Sequence, residues 1–156
     1  KLFKEEYTYK RRGVYMCNDN TNTNNCIAEI LEVILLLQKN ADCGECCLES
    51  CDRGFLGCGN TSFSCNTRPI MIYTCGSGNV ALAMPISKAF DEETTSSVFR
   101  VEKVDEKCAT FRVLTPNTDT TTSQLQPFVT TNSFFTLNLS CVCALRCLQD
   151  TYIDCV

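Results

Sequence analysis

Cysteine sets the tightest limit on how this sequence can fold: 14 of its 156 residues are Cys, and none is His. Chains so rich in cysteine are held by disulfides or by metal–thiolate bonds. Scaffolds that depend on such bonds to fold at all are usually much shorter. Here the length suits one ordinary domain. With 44% hydrophobic and 21% charged residues, there is enough apolar matter for a core, which excludes disorder along the whole length. The cysteines must therefore add to a core rather than replace one.

Fourteen Lys and Arg against eighteen Asp and Glu leave a net charge of -4. That balance gives no broad cationic surface, so no nucleic-acid partner is expected, and the cluster Lys10, Arg11, Arg12 is too small to change it. The longest apolar run, Val33 to Leu37, falls far short of the roughly 18 to 20 residues that span a bilayer, so no membrane partner is expected. The sequence starts at Lys1 rather than Met, without a signal-peptide pattern, which reads as a trimmed start. Absence of histidine removes the usual general base, the commonest metal ligand and the physiological-pH switch together. The carboxylate pairs Glu5/Glu6, Glu92/Glu93 and Asp105/Glu106 are sequence neighbours that point different ways, and they read as solvated charges. No enzyme activity, catalytic residue or cofactor is expected.

Residues 1–17 set Phe3, Tyr7, Tyr9 and Tyr15 among charges and read as an extended arm. The polar run at 18–25 cannot pack a core and reads as a tether, so 1–25 form an arm and tether ahead of a domain over 26–156. Ile27, Ile30, Leu31, Ile34 and Leu35 recur at helical spacing and predict a helix over 26–40, with Asn25 as N-cap and Asn40 as its stop. The Gly- and Cys-rich stretch that follows supports neither period and reads as a stapled loop region. Beyond residue 68, period-two alternation predicts strands at 69–75, 80–84, 98–104, 108–114, 125–130 and 134–143. The fourth is joined to the third by Asp105-Glu106-Lys107 as a hairpin, with Phe99, Val101, Phe111 and Val113 inward. In the last, Phe135, Leu137, Leu139, Cys141 and Cys143 would share one face. The expected fold is mainly β: a disulfide-rich antiparallel β-sandwich of jelly-roll type, with one short N-terminal helix and an extended arm.

Three uses of the thiols compete. Cys43-x-x-Cys46 has zinc or thioredoxin-like spacing, and Cys141-x-Cys143 with Cys147 could complete four thiolates, but no second CxxC knuckle exists. Redox catalysis needs its CxxC at a helix N-terminus, whereas Cys43 and Cys46 follow a helix. Disulfides account for both number and scatter, and no metal site is expected. Cys17, Cys26 and Cys155 stand where a chain is mobile and exposed, and are the candidates for bridges between subunits. Cys43, Cys46, Cys47, Cys51, Cys58, Cys65, Cys75, Cys108, Cys141, Cys143 and Cys147 are the candidates for structural bridges, without a deducible pairing.

The strings NTRPIMIYT (66–74), SVFRVEKVDEKCATFRVL (97–114) and TLNLSCVCALRCLQDT (136–151), behind CIAEILEVILLLQ and CLESC before GFLG, resemble the cysteine-rich spore coat and exosporium family of endospore-forming bacilli. That family comprises spore coat proteins Y and Z and exosporium protein Y. The resemblance runs from about Cys26 to Thr151, and LSCVCALRCL is its most specific string. The front departs from the pattern, with a Tyr- and Lys-rich arm where the family has a short segment containing His. The resemblance implies a non-catalytic, self-assembling building block of the spore surface in coat, exosporium or appendage. Such a subunit would be made in the mother cell, locked to its copies by disulfides, and joined in places to other coat or exosporium proteins. The alternative from a different class is a zinc-binding adaptor that tethers other coat proteins.

Overall fold

The computed structural model of the chain describes residues 26–39, 41, 65–119, 121–122 and 126–156. The expected arm and tether, the helix-flanking Asn25 and Asn40, and the Cys-Gly segment 42–64 lie outside the described residues. Helix α1 spans Cys26–Lys39, with Glu29 in its first turn and Lys39 in its last, each matching the local end of the helix dipole. Its inner face is the expected one. Leu31 and Ile34 are sealed from solvent, and Ile27, Ile30 and Leu35 pack around them against the sheet.

The strands are β1 Ile70–Thr74, β2 Met84–Pro85, β3 Thr95–Ser96, β4 Val98–Val104, β5 Cys108–Pro116, β6 Phe128–Asn138 and β7 Val142–Cys147. Five of them form one antiparallel sheet in the order β6-β5-β4-β1-β7, and β2 pairs with β3 in a separate ribbon. The expected β4–β5 hairpin forms, with Phe99 opposite Val113, but its register slips by one between Val101 and Lys103, so that Val104 faces Ala109 rather than the Cys108 that a three-residue loop would place there. Phe99, Val101, Phe111 and Val113 are all fully buried, as their alternation predicts. Phe135 joins them from β6: its ring stacks on Phe111 at 5.3 Å and meets Phe99 edge-on at 4.8 Å. Such ring pairs contribute about 0.5–1.5 kcal/mol beyond the area they bury.

Mainly antiparallel β with one α-helix is therefore what the described residues form. The layer facing the large sheet, however, is built from α1 and the two-residue strands of the ribbon, so among the described residues there are not two comparable sheets of a jelly roll. Residues 80–84 alternate because Leu82 and Met84 lean on the core. Their backbone stays outside the ladder except for one bond from Leu82 N–H to the Ile72 carbonyl, 2.8 Å, and the Met84 pairing with Ser96. The alternation reported burial, not pairing. The two last predicted strands also divide differently. β6 runs unbroken from Phe128, with the register slipping between Arg112 and Leu114 opposite it. It then stops at Asn138, whose side chain accepts from Ser140 N–H at 3.0 Å and caps a 3-10 turn, Leu139–Cys141. A hydrogen-bonding side chain at the turn overrides the period-two pattern there.

That turn bends the whole sheet. β6 and β7 occupy opposite edges, yet only three residues separate them. A flat five-stranded sheet is about 19 Å across, and four chain steps reach about 14 Å. The sheet must curl until its edges approach at this corner, enclosing Leu139 and Val142 in the core with Ile70, Ile72 and Phe111. Gln38, buried on α1, fastens the helix to this curl: its Nε2 donates to the Val101 carbonyl at 2.9 Å, and its Oε1 accepts from Arg68 N–H at 3.3 Å.

Candidate functional site

The chemistry-bearing residues gather along β7 and the segments beside it. Cys75, one step beyond β1, is bonded to Cys143 of β7 with Cα atoms 5.1 Å apart. The ladder aligns them: Thr74 faces Val142, and Cys75 N–H donates to the Cys141 carbonyl at 2.9 Å. The bridge closes a sequence separation of 68 residues, which chain entropy values at about 4 kcal/mol. Cys141 and Cys147 are disulfide-bonded as well. All three cysteines of LSCVCALRC are thus oxidised, and the thiolate set that a zinc site would draw from them is not present, because a metal binds the thiolate form.

Below the bridges a polar clasp holds the segments around β1 and β7. Arg68 and Asp150 form a two-pronged ion pair, Nε to Oδ1 and Nη2 to Oδ2 both 2.8 Å, with side chains only 3% and 8% exposed. Thr67 and Thr151 pair as an isolated bridge, and Asn66 clamps Ile153 through both its backbone N–H and carbonyl. On β4 and β5, Arg100 and Arg112 sit directly opposite one another, an unfavourable pairing of like charges. Glu102 lies between them, 2.8 Å from Arg100 Nη1 and 2.9 Å from Arg112 Nε, and Arg100 Nε also donates to Thr67 at 3.0 Å. Burial pushes the pKa of Arg100 down while Glu102 draws it back up. Arg112 covers the Phe134 ring at 4.7 Å and donates from Nη1 to the Cys155 carbonyl at 3.2 Å.

Cys155 adopts a left-handed backbone, φ 60°, which a non-glycine residue takes up only when neighbours fix it. The Arg112 bond to its carbonyl is such a neighbour. Its thiol is free and the residue exposed, and Cys26, the first residue of α1, is likewise free and exposed. Two of the three candidates for bridges between subunits therefore present thiols to solvent, and the third, Cys17, lies outside the described residues. Among the structural candidates, Cys75, Cys141, Cys143 and Cys147 are bridged. Cys108 is not. It opens β5 opposite Asn138, with no cysteine across the ladder, and keeps a free, half-buried thiol. Cys65 is buried against Leu37 and Ala41. Cys43, Cys46, Cys47, Cys51 and Cys58 lie outside the described residues. Among the described residues, no three Cys, Asp or Glu side chains stand close enough to share a metal ion.

Of the expected solvated carboxylates, Glu93, Asp105 and Glu106 are exposed, Glu92 is half-buried and engaged, and Glu5 and Glu6 lie outside the described residues. Glu92 accepts from Thr94 N–H and the Ser87 hydroxyl at 2.8 and 2.9 Å, and these bonds hold its carboxyl below the usual range. Sequence reasoning missed the Arg68–Asp150 clasp and the Arg100–Glu102–Arg112 set. The second had a legible signal, since three charges at alternate positions of adjoining predicted strands must share the outer face. The first had none, because 82 residues separate its partners.

Compared with known proteins, residues 15–150 match the family model described as spore coat protein Z. No curated protein and no solved structure matches the chain.

Proposed function

This chain belongs to the spore coat protein Z family, and from that premise we propose that it is a self-assembling subunit whose copies are locked together by disulfides. The family gives it a structural role in the spore coat and a place at the spore surface. The finer reading is a lattice or fibre of identical subunits, made in the mother cell and oxidised on assembly. Coat, exosporium and appendage are its candidate layers, with self as the main partner and other coat or exosporium proteins as further ones.

One observation carries it: the Cys75–Cys143 bridge fastens the sheet internally, while Cys26 and Cys155 keep exposed free thiols at well-separated points of the sequence. A bridge within a domain shifts its folding equilibrium. One between subunits turns dissociation into a covalent step. Each new bond releases two protons and two electrons, taken up by a disulfide-bearing oxidant through thiol exchange. Catalysis has no part in this reading.

Non-reducing and reducing electrophoresis of the assembled protein tests it. Ladders that collapse only with reductant are expected. Replacing Cys26 and Cys155 together by Ser should shorten those ladders without lowering the unfolding midpoint of the monomer. Ladders unchanged by the double substitution would move the links to other cysteines, and stoichiometric metal with free thiols would favour the zinc adaptor.

A further inference from the structure

β6 is an outermost strand, and among the described residues no strand pairs with its outer side. Natural sheets protect such an edge with Lys or other charges, with Pro, or by covering it, because a bare row of N–H and C=O groups templates another strand. β6 reads FVTTNSFFTLN over eleven residues, without a charge or a proline. Its only irregularity is the register slip opposite Arg112 and Leu114. Beyond that slip, Phe134 to Asn138 pair regularly with Arg112 to Cys108, so the outer groups of this limb follow an undistorted strand.

We infer that the Phe134–Asn138 limb of β6 pairs antiparallel with the same limb of a second copy, extending the sheet across a two-fold axis at Thr136. The inference rests on the self-assembly reading and names the non-covalent surface that reading lacks. In a two-fold contact every residue meets its own symmetry mates, so a charged strand would oppose like charges. This one has none. The axis places Thr136 opposite its own copy, Phe134 opposite Asn138, and Phe135 opposite Leu137. Thr136 already shares a hydroxyl hydrogen bond of 3.0 Å with Thr110 on β5, so the contact would continue a row of threonine hydroxyls across both sheets. Cross-strand Thr pairs are among the favourable ones. Phe134, 42% exposed, would shield its ring further beneath Lys88 and Arg112.

Five residue pairs bury less than the roughly 1,000 Å² of a lone stable interface. The contact is therefore reversible in solution and becomes durable through repetition and covalent locking. Bridges and edge pairing then make distinct demands, which reductant separates.

The test is sedimentation velocity of the full chain in excess reductant from micromolar to millimolar concentration, together with amide hydrogen exchange. A monomer–dimer equilibrium is expected, with amides of 134–138 slowing as concentration rises. Thr136→Lys should weaken association at least tenfold while circular dichroism stays unchanged. If that variant unfolds, Phe134→Lys, at an exposed position of the same limb, serves as the second probe. Thr95→Lys, on the separate ribbon, should leave association unaltered. A chain monomeric throughout, or a dimer indifferent to both edge lysines, would overturn the inference. Either result would leave the disulfide reading standing if oxidised ladders persist, whereas loss of the ladders with the reduced dimer intact would do the reverse.

Discussion

β7 and β6 are the two outer strands of one curled sheet, and they are finished in opposite ways. β7 carries two bridged cysteines, Cys143 and Cys147, with a third, Cys141, just ahead of it, and is flanked by the Arg68–Asp150 clasp. β6 has neither cysteine nor charge, only Thr, Asn, Ser and apolar residues. An edge fixed by covalent and ionic ties cannot readily accept another strand, whereas a bare one can. On the self-assembly proposal, the contrast separates two tasks: one flank would keep the subunit intact, and the other would be open to neighbours.

The largest expected effect comes from breaking the clasp. Asp150→Ala removes the buried carboxylate that pairs with Arg68 through both prongs and should lower unfolding free energy by about 3–5 kcal/mol in a denaturant titration. A loss below about 1 kcal/mol would mean that solvent reaches the pair. Next, Cys75→Ala with Cys143→Ala should cost about 2–4 kcal/mol by the same measurement, with exchange of the β6 amides unchanged if the two flanks are independent. Gln38→Ala leaves the Val101 carbonyl and the Arg68 N–H without their shared partner, and should cost about 1–3 kcal/mol. Because Gln38 bonds only backbone groups and no side chain of the bridges, the clasp or β6, it sets the scale of an ordinary core defect. The smallest effect is a pH dependence. The Glu92 carboxyl is held below its ordinary value by Thr94 and Ser87. Its stabilising contribution is therefore complete above the ordinary carboxylate range and fades as pH falls through the lowered native value. Carbon-detected titration of Glu92 should find that depressed midpoint, and Thr94→Pro should return it toward normal.

How much of this was legible in the sequence depends on the range of the interactions. The helix and the β4–β5 hairpin were readable because their determinants are local: a 3.6-residue stripe around Leu31 and Ile34, and a tight turn between alternating Phe and Val. The break at Asn138 was not. LNLSCVC alternates without fault, and only the Asn138 side chain bonding Ser140 N–H ends the strand. The site divided in the same way. Exposure of Cys26 and Cys155 followed from their positions, but the free state of Cys108 depends on what lies across the ladder, and the Arg68–Asp150 pair joins segments that only the curled sheet brings together.

The short turn Leu139–Cys141 has a mechanical meaning. If a neighbour pulls on β6, the strain need not cross the sheet strand by strand through its hydrogen bonds. It passes along three residues of backbone to β7, where sulfur–sulfur bonds receive it. A shell made of such units would stretch between copies before any one of them unravels.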